Sequence, residues 1–215
     1  MTYHVIPPAT AVDSIHILYV QDGNDYLDLG GFEETFTYAG LQDWQVVMVH
    51  PGTSQERWHA YHSQGDDFTN FINFMYEELM PVVEKGVIVR KRAVLGESLA
   101  ASISLNMAAQ KPAIWSHVLL QSAAITADDI AVVNAIDKPI SWSVQQTVGT
   151  IEDGFISPIT NECLYIYSRN KQLAEVFRQK EVEVQFVEEE ESHLWTYWKR
   201  LLPIALRFLS VARKA

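Results

Sequence analysis

The chain has 215 residues, of which 48% are hydrophobic and 20% are charged, the composition of a globular protein long enough to bury a sizeable core. The formal net charge of −11 at pH 7 and the isoelectric point near 5.0 argue against binding to nucleic acid or to an anionic membrane surface. The single cysteine, Cys163, excludes an internal disulfide.

The first residues lack the basic segment and apolar core of a secretory signal, and no apolar run approaches membrane-spanning length. We therefore expect a cytoplasmic protein without membrane contact. The sequence shows no linker, internal repeat or low-complexity stretch, so we expect one domain over residues 1–215.

The first quarter of the chain alternates apolar runs with polar loops. Residues 1–13 are interpreted as an extended segment, and the continuous apolar run at 15–20 predicts a buried strand that ends in a turn at 21–25. A second buried strand is predicted at 41–50. Residues 51–65, which are mostly polar with a few scattered aromatic side chains, are interpreted as a loop.

The next stretch has helical spacing of its apolar residues. Asp66 or Asp67 is the predicted cap of a long helix that reaches Val82 and that ends or kinks at Pro81. Beyond this helix, strands and helices alternate. Residues 123–138 show a less regular pattern, which we interpret as a helix followed by a loop. The predicted elements are strands at 92–95, 114–120, 140–148 and 181–187 and helices at 99–110, 158–179 and 194–211.

This alternation of strands and helices favours βαβ units and a mainly parallel sheet in three layers. No insertion is long enough to form a large cap domain. In such a sheet, functional groups collect at the carboxyl ends of the strands. The fold class predicted from the pattern is α/β.

A serine follows the predicted strand at 92–95. The segment Gly96-Glu97-Ser98-Leu99-Ala100 is the G-x-S-x-G pattern with alanine in the last place, which is typical of the nucleophile elbow between a strand and a helix. The pattern also has a structural interpretation, in which Ser98 only caps the helix at 99–110.

Downstream residues complete a possible charge-relay set. A serine nucleophile needs a base to remove its proton and a carboxylate to orient that base. His193 lies between the last predicted strand and the last helix, and Glu152 and Asp153 follow the preceding strand. The order of serine, acid and histidine along the chain is that of α/β-hydrolases.

The chain resembles the esterase family of α/β-hydrolases that includes esterase D, enterochelin esterases and feruloyl esterases. The similar segments run almost from end to end: Leu18–Tyr26 with its "DG" loop, Arg57–Tyr61, Glu78–Pro81, Gly96–Ala100, Val148–Glu152 and His193–Trp198. The resemblance implies an α/β-hydrolase fold and hydrolysis of an ester. This chain departs from the family where Ala100, Ala101 and Ser192 replace glycines, Leu194 replaces an aspartate and Ala60 replaces a glutamate.

The same resemblance implies roles for individual residues. Ser98 would be the nucleophile, His193 the base and Glu152 the orienting acid, with Asp153 as the alternative acid. The oxyanion hole would consist of the backbone N–H of Leu99 and one from the Gly23-Asn24-Asp25 loop, which we assign to Asn24.

We therefore expect a serine esterase that acts on a small-molecule ester through an acyl-enzyme, without a metal or an organic cofactor. An acyltransferase that uses the same residues, and a non-catalytic binding module on a hydrolase scaffold, are the alternatives. A metal site built from the loop histidines His50, His59 and His62 is disfavoured because their spacing matches no known site. Cys163 is interpreted as a buried structural residue of the predicted helix at 158–179.

The run Glu188–Glu191 leads directly to His193. If it faces the site, its negative potential would raise the pKa of His193 and disfavour anionic esters. The alternative interpretation is a solvated surface with neither effect.

Overall fold

A central sheet of seven strands organises the protein in the computed structural model, which describes residues 1–10, 14–137 and 139–210. The strands in this part of the chain are β1 Thr2–Ile6, β2 Ser14–Gln21, β3 Trp44–His50, β4 Ile88–Glu97, β5 His117–Gln121, β6 Ser143–Gly149, β7 Asp153–Ile156, β8 Cys163–Tyr165 and β9 Glu183–Glu189. Their order in the large sheet is β1-β3-β2-β4-β5-β6-β9, and only the β1–β3 pair is antiparallel. β7 and β8 form a separate antiparallel hairpin.

Helices cover both faces of this sheet. They are α1 Gly23–Asp28, α2 Phe32–Ala39, α3 Ser54–Tyr61, α4 Phe68–Phe74, α5 Met80–Val83, α6 Ser98–Gln110, α7 Ala127–Asn134, α8 Ile166–Gln179 and α9 Trp195–Phe208. A π-helical turn, Met75–Leu79, joins α4 to α5. No helix in the ranges just given is long and apolar enough to cross a membrane.

The two faces of β2 show why its sequence is continuously apolar. Ile17 and Tyr19 belong to the buried cluster under α3, α4, α6, α7 and α8, whereas Leu18 and Val20 belong to the cluster under α1, α2 and α9. Successive side chains of a strand point to opposite faces, so a strand covered on both sides needs apolar residues at every position. The three-layer α/β-hydrolase fold predicted from the sequence is confirmed.

The predicted strands are all present, with bounds that differ by a few residues. β1 was not expected as a strand within the extended segment at 1–13, of which residues 11–13 lie outside the described part. Three of its five residues are exposed and none is buried, so it lacks the apolar run of the inner strands.

Three predictions for the flanking segments are corrected. The turn expected at 21–25 is the start of α1. The loop expected at 51–65 contains α3, which Thr53 caps: its hydroxyl accepts the N–H of Glu56 at 3.3 Å, and the Glu56 carboxylate accepts the N–H of Thr53 at 2.8 Å. The helix expected from Asp66 or Asp67 begins after Asp67, whose side chain makes no capping hydrogen bond. It continues past Pro81 because α5 starts at Met80, so the proline lies in a first helical turn, where its missing N–H is tolerated.

The prediction for 158–179 is wrong for residues 158–165. The β7–β8 hairpin occupies this region, with Asn161 in the left-handed conformation at φ 57°, and α8 begins only at Ile166. Cys163 therefore lies in a strand and is exposed, not buried in a helix. The interval at 123–138 contains α7, with Lys138 outside the described residues, and the closing helix ends at Phe208, before the undescribed Val211.

Candidate active site

Ser98 occupies the sharp junction between β4 and α6. Its backbone is left-handed at φ 48°, an unfavourable conformation for a residue with a side chain, which the surrounding packing must maintain. Gly96 is required for the tight turn, since a Cβ there would lie 2.3 Å from the carbonyl oxygen of Ala100 and 2.7 Å from the nitrogen of Ala101. Ala100 of α6 occupies the position of the family's glycine in the elbow and is fully buried.

The hydroxyl of Ser98 meets the imidazole of His193. The distance from Ser98 Oγ to His193 Nε2 is 2.8 Å, and the distance from His193 Nδ1 to Glu152 Oε2 is 2.9 Å. An ionised carboxylate only accepts hydrogen bonds, so Nδ1 carries the hydrogen and Nε2 is free to accept the serine proton. The structure thus brings together the three residues selected from the sequence.

Two further residues hold Glu152 in position, and neither role can be recognised from the sequence. The Glu152 side chain is 1% exposed, and its Oε1 accepts hydrogen bonds from the hydroxyl of Ser122 at 2.7 Å and from the N–H of Gly149 at 2.8 Å. Ser122 in turn accepts the indole N–H of Trp198 at 2.9 Å. These donors hold the buried carboxylate in its orientation toward the histidine.

Asp153, the alternative acid, points elsewhere. It is exposed, and its carboxylate accepts the backbone N–H of Ser168 at 3.0 Å and the hydroxyl of the same residue at 2.5 Å. It is therefore engaged with α8, and Glu152 alone of the two adjacent carboxylates reaches His193.

The predicted oxyanion donors lie at the starts of two helices beside Ser98. Leu99 is in the first turn of α6 and Asn24 is in the first turn of α1. The preceding strands, β2 and β4, are parallel neighbours with Val20 opposite Leu95, which places both helix starts at the same edge of the sheet. The N–H of Asp25 already donates to the Asp22 carbonyl at 3.0 Å. Of Asn24 and Asp25, Asn24 is therefore the better candidate for the second oxyanion donor.

A second group of charged residues adjoins the elbow. Asp22 and Glu97 are 1% and 2% exposed, and Arg57 joins them: its Nε is 2.5 Å from Asp22 Oδ2 and its Nη2 is 3.3 Å from Glu97 Oε1. Burial raises the pKa of Glu97 well above its ordinary value; the attraction of Arg57 opposes this shift, and the negative charge of Asp22 adds to it. Among the described residues, Asp22, Asp25 and Glu97 have carboxylate oxygens within 4.8 Å of one another, a spacing that a cation could also bridge.

The loop histidines considered as metal ligands do not converge. His50 lies 3.3 Å from the side-chain oxygen of Asn24, and His59 lies 3.7 Å from Asp66, whose side chain is 92% exposed. His62 instead stacks on Trp58 with ring centroids 5.0 Å apart.

A cavity of about 520 Å³ opens in front of Ser98. Phe155 of the β7–β8 hairpin contacts the His193 ring with centroids 4.5 Å apart, and Trp198 meets it edge-on at 4.8 Å. Other apolar groups from the loop before α7, the hairpin and the residues that begin α9 complete a largely apolar wall, among them Ile125, Ile159, Leu194 and Trp195. The hairpin thus forms one wall of the cavity, and its residues from Pro158 onward are those predicted to be helix.

The four glutamates before His193 do not line this cavity. Arg200 binds two of them, with its guanidinium 2.7 Å from Glu189 and 2.6 Å from Glu191. Glu188 accepts the Tyr167 hydroxyl at 3.3 Å, and Glu188 and Glu190 are exposed. These contacts favour the solvated-surface interpretation.

An elbow serine, a histidine and a carboxylate on a parallel sheet with flanking helices place the protein among the α/β-hydrolases. The family model described as "Putative esterase" matches residues 1–209, and the chain belongs to that family of carboxylic ester hydrolases.

Three individual proteins show how far the similarity extends. Over 200 residues the chain is 26% identical to the uncharacterized protein YjcH of Bacillus subtilis, an alignment that covers 89% of this chain and 83% of that protein. The BES protein from Bacillus cereus has a similar structure, with a TM-score of 0.73 and 19% identity over 98% of this chain and 90% of that one. The fluorophosphonate-binding serine hydrolase FphF of Staphylococcus aureus gives a TM-score of 0.69 and 13% identity over 98% of this chain and 92% of that one.

Proposed function

We propose that the protein is a serine esterase that uses Ser98, His193 and Glu152 as a catalytic triad. The observation that carries this proposal is the continuous hydrogen-bonded line from Ser98 Oγ through both ring nitrogens of His193 to Glu152, with steps of 2.8 and 2.9 Å. Family membership supports the ester as the bond that is cleaved.

Acylation begins when Ser98 Oγ attacks the carbonyl carbon and its proton passes to His193 Nε2. The carbonyl electrons move to oxygen, and the N–H groups of Leu99 and Asn24 bind the resulting oxyanion. When the carbonyl forms again, the bond to the alcohol oxygen breaks, and His193 returns the proton to the leaving alkoxide.

Deacylation repeats these steps with water. His193 Nε2 takes a proton from water while the oxygen adds to the acyl carbon. Collapse of the second oxyanion releases the carboxylic acid, and Ser98 regains its hydrogen from His193. Throughout, Glu152 accepts the Nδ1–H bond, which holds the ring in the reactive tautomer and stabilises the imidazolium.

The cavity indicates the kind of ester. A volume of about 520 Å³ with a wall that includes Phe155, Ile125 and Ile159 suits a small-molecule ester with an apolar group near the reacting carbonyl. The carbonyl must lie between Ser98 and the two oxyanion donors.

Fluorophosphonate labelling, read by intact mass and peptide mapping, tests the nucleophile. We expect one adduct on Ser98, no adduct in Ser98→Ala, and normal labelling in Ser102→Ala, which changes a buried serine one turn along the same helix. Failure to label the wild-type chain would support the non-catalytic binding module. Hydrolysis of aryl esters, followed with and without an added alcohol, distinguishes the carboxylic acid expected here from the new ester that an acyltransferase would make.

A further inference from the structure

The charged group next to the elbow contains more acid than base. The carboxyl groups of Asp22, Asp25 and Glu97 have oxygens within 4.8 Å of one another, and Arg57 binds two of them, Asp22 and Glu97. With all three acids ionised, two negative charges would stay uncompensated in a site where Asp22 and Glu97 are almost completely buried. Like charges at this separation in a low-dielectric site do not all ionise, so one acid retains its proton or a cation is bound.

The hydrogen bonds indicate which acid keeps the proton. The Asp22 Oδ2 atom accepts the Arg57 Nε–H. The Asp22 Oδ1 atom is buried, and when every carboxyl group is ionised it has no hydrogen-bond donor among the described residues. Glu97 and Asp22 lie within hydrogen-bond reach of each other, so a hydrogen on Glu97 supplies the donor that Asp22 lacks. Buried polar atoms of native proteins nearly always have such a partner.

The other titratable groups facing Glu97 leave this assignment intact. Asp22, which follows β2, and Asp25 of α1 both favour a neutral Glu97 through their negative charge. Burial and the charge of Asp22 also raise the pKa of Asp25, but Asp25 is only partly buried, whereas Glu97 is 2% exposed. Tyr26 of α1 and Tyr61 of α3 are fully buried, which raises the pKa of each phenol well above its ordinary value and keeps both rings neutral. Arg57 is the positive group, and its Nη2 binds the other side of Glu97 at 3.3 Å.

We propose that Glu97 is a positioning residue that works as a neutral carboxylic acid, donating a hydrogen bond to Asp22 while accepting one from Arg57. The proposal rests on the proposed function of Ser98. Asp22 is two residues before Asn24, and Glu97 is two residues before Leu99. The Asp22–Glu97–Arg57 unit therefore ties together the two chain segments that carry the oxyanion donors.

This link matters because oxyanion donors must be held within a few tenths of an ångström. Asp22 is itself left-handed at φ 56° and Ser98 at φ 48°, so both segments adopt conformations that need external support. Arg57, fixed on α3, bridges the two turns from a third element. Loss of the Glu97 hydrogen would replace attraction between the turns by repulsion of two carboxylates.

Two measurements on the purified full chain test the proposal. Infrared difference spectra at neutral pH should show the C=O stretch of a protonated carboxyl group in wild type that is missing in Glu97→Gln. In ester hydrolysis, Glu97→Ala should lower kcat/KM by about tenfold or more, since a buried hydrogen bond to a charged group is lost. Glu97→Gln, whose amide can also donate to Asp22, should lose much less than Glu97→Ala.

The controls separate this proposal from the proposed function. Asp66→Asn, which changes an exposed carboxylate, should leave both the infrared band and kcat/KM at wild-type values. A missing infrared difference, or a loss in Glu97→Gln as large as in Glu97→Ala, would overturn the neutral-acid role. Inactivation of wild type by a chelator, restored by a divalent cation, would overturn it in favour of a bound ion. Fluorophosphonate labelling of Ser98 is the separate criterion for the serine mechanism, whatever the Glu97 variants do.

Discussion

Ser122 and Glu152 share a hydrogen bond of 2.7 Å inside the protein, 30 residues apart in sequence. Ser122 is fully buried and left-handed at φ 48°, and it also accepts the indole N–H of Trp198, whose ring meets the edge of His193. One serine thus supports both the acid and the base of the proposed triad: Ser122 binds Glu152 directly and contacts His193 through Trp198.

We expect Ser122→Ala to lower kcat/KM about tenfold, since a hydrogen bond to a buried charged group contributes roughly 1.5–3 kcal/mol. The loss should fall on kcat because Ser122 does not line the cavity. Ser102→Ala is the matched control: its buried hydroxyl has no hydrogen-bond partner among the described residues, and its removal should change the rate less than twofold. Equal kinetics of the two variants would remove Ser122 from the positioning of the triad.

The pairing of Ser98 with His193 predicts non-additive effects. Ser98→Ala and His193→Ala should each reduce kcat by several orders of magnitude, and the double variant should be little worse than either, because the residues act as a unit. Steady-state kinetics with a chromogenic ester provide the values, and circular dichroism verifies the fold. Losses that multiply in the double variant would show that the two side chains act independently.

The two adjacent carboxylates should differ sharply. Glu152→Gln replaces an ionised acceptor of the His193 Nδ1–H and should reduce kcat by about 10²–10⁴-fold, as expected when the wrong tautomer is favoured. Asp153→Asn changes an exposed side chain bound to Ser168 and should cost less than about threefold. The ratio of kcat values decides the assignment, and a larger loss in Asp153→Asn would reverse it.

The inner fold could be predicted from sequence because β2 to β6 are covered on both faces. That burial favours apolar runs such as residues 17–20 of β2, 46–49 of β3 and 118–120 of β5, which can be recognised in the sequence, although β6 buries Gln145, Gln146 and Thr147 instead. The edge strand β1 is largely exposed and carries no such run. Helix α3 was missed because six of its eight residues are not buried, so its signal is the Thr53 capping box and not an apolar stripe.

Candidate triad residues could be selected because a serine hydrolase orders them along the chain at the ends of successive strands. The supporting contacts could not, since Ser122, Arg57 and Glu97 act through partners that are distant in sequence. A left-handed serine such as Ser122 leaves no trace in composition or spacing. The helix prediction from Pro158 includes the turn and second strand of the β7–β8 hairpin, because the three-residue β8 is too short for an alternating pattern to outweigh the helical pattern that follows.

The raised pKa of Glu97 predicts how stability depends on pH. The unfolded chain releases this proton near the ordinary value of 4.5, whereas the folded chain holds it to a higher pH. The folded state therefore binds more protons in this window, and its stability falls as pH rises, by about 1.4 kcal/mol per pH unit for one proton. Glu97→Gln lacks this titration, so its melting temperature should rise relative to wild type as the pH increases above the ordinary value of 4.5. A constant difference across that range would contradict a protonated Glu97.

The last prediction concerns the glutamates at 188–191. Arg200 compensates Glu189 and Glu191 at 2.7 and 2.6 Å, and the exposed charges of Glu188 and Glu190 are screened by water and salt. Replacing all four by glutamine should leave the pH dependence of kcat/KM unchanged at moderate salt, and it should not alter the ranking of neutral, cationic and anionic esters. If the four glutamates did act on His193, replacing them would lower the pKa of His193 and move the activity profile to lower pH. It would also favour anionic esters, and each effect would become smaller as the salt concentration rises. Because Arg200 would lose both partners, the same variant should show only a small drop in melting temperature, the result expected for exposed ion pairs.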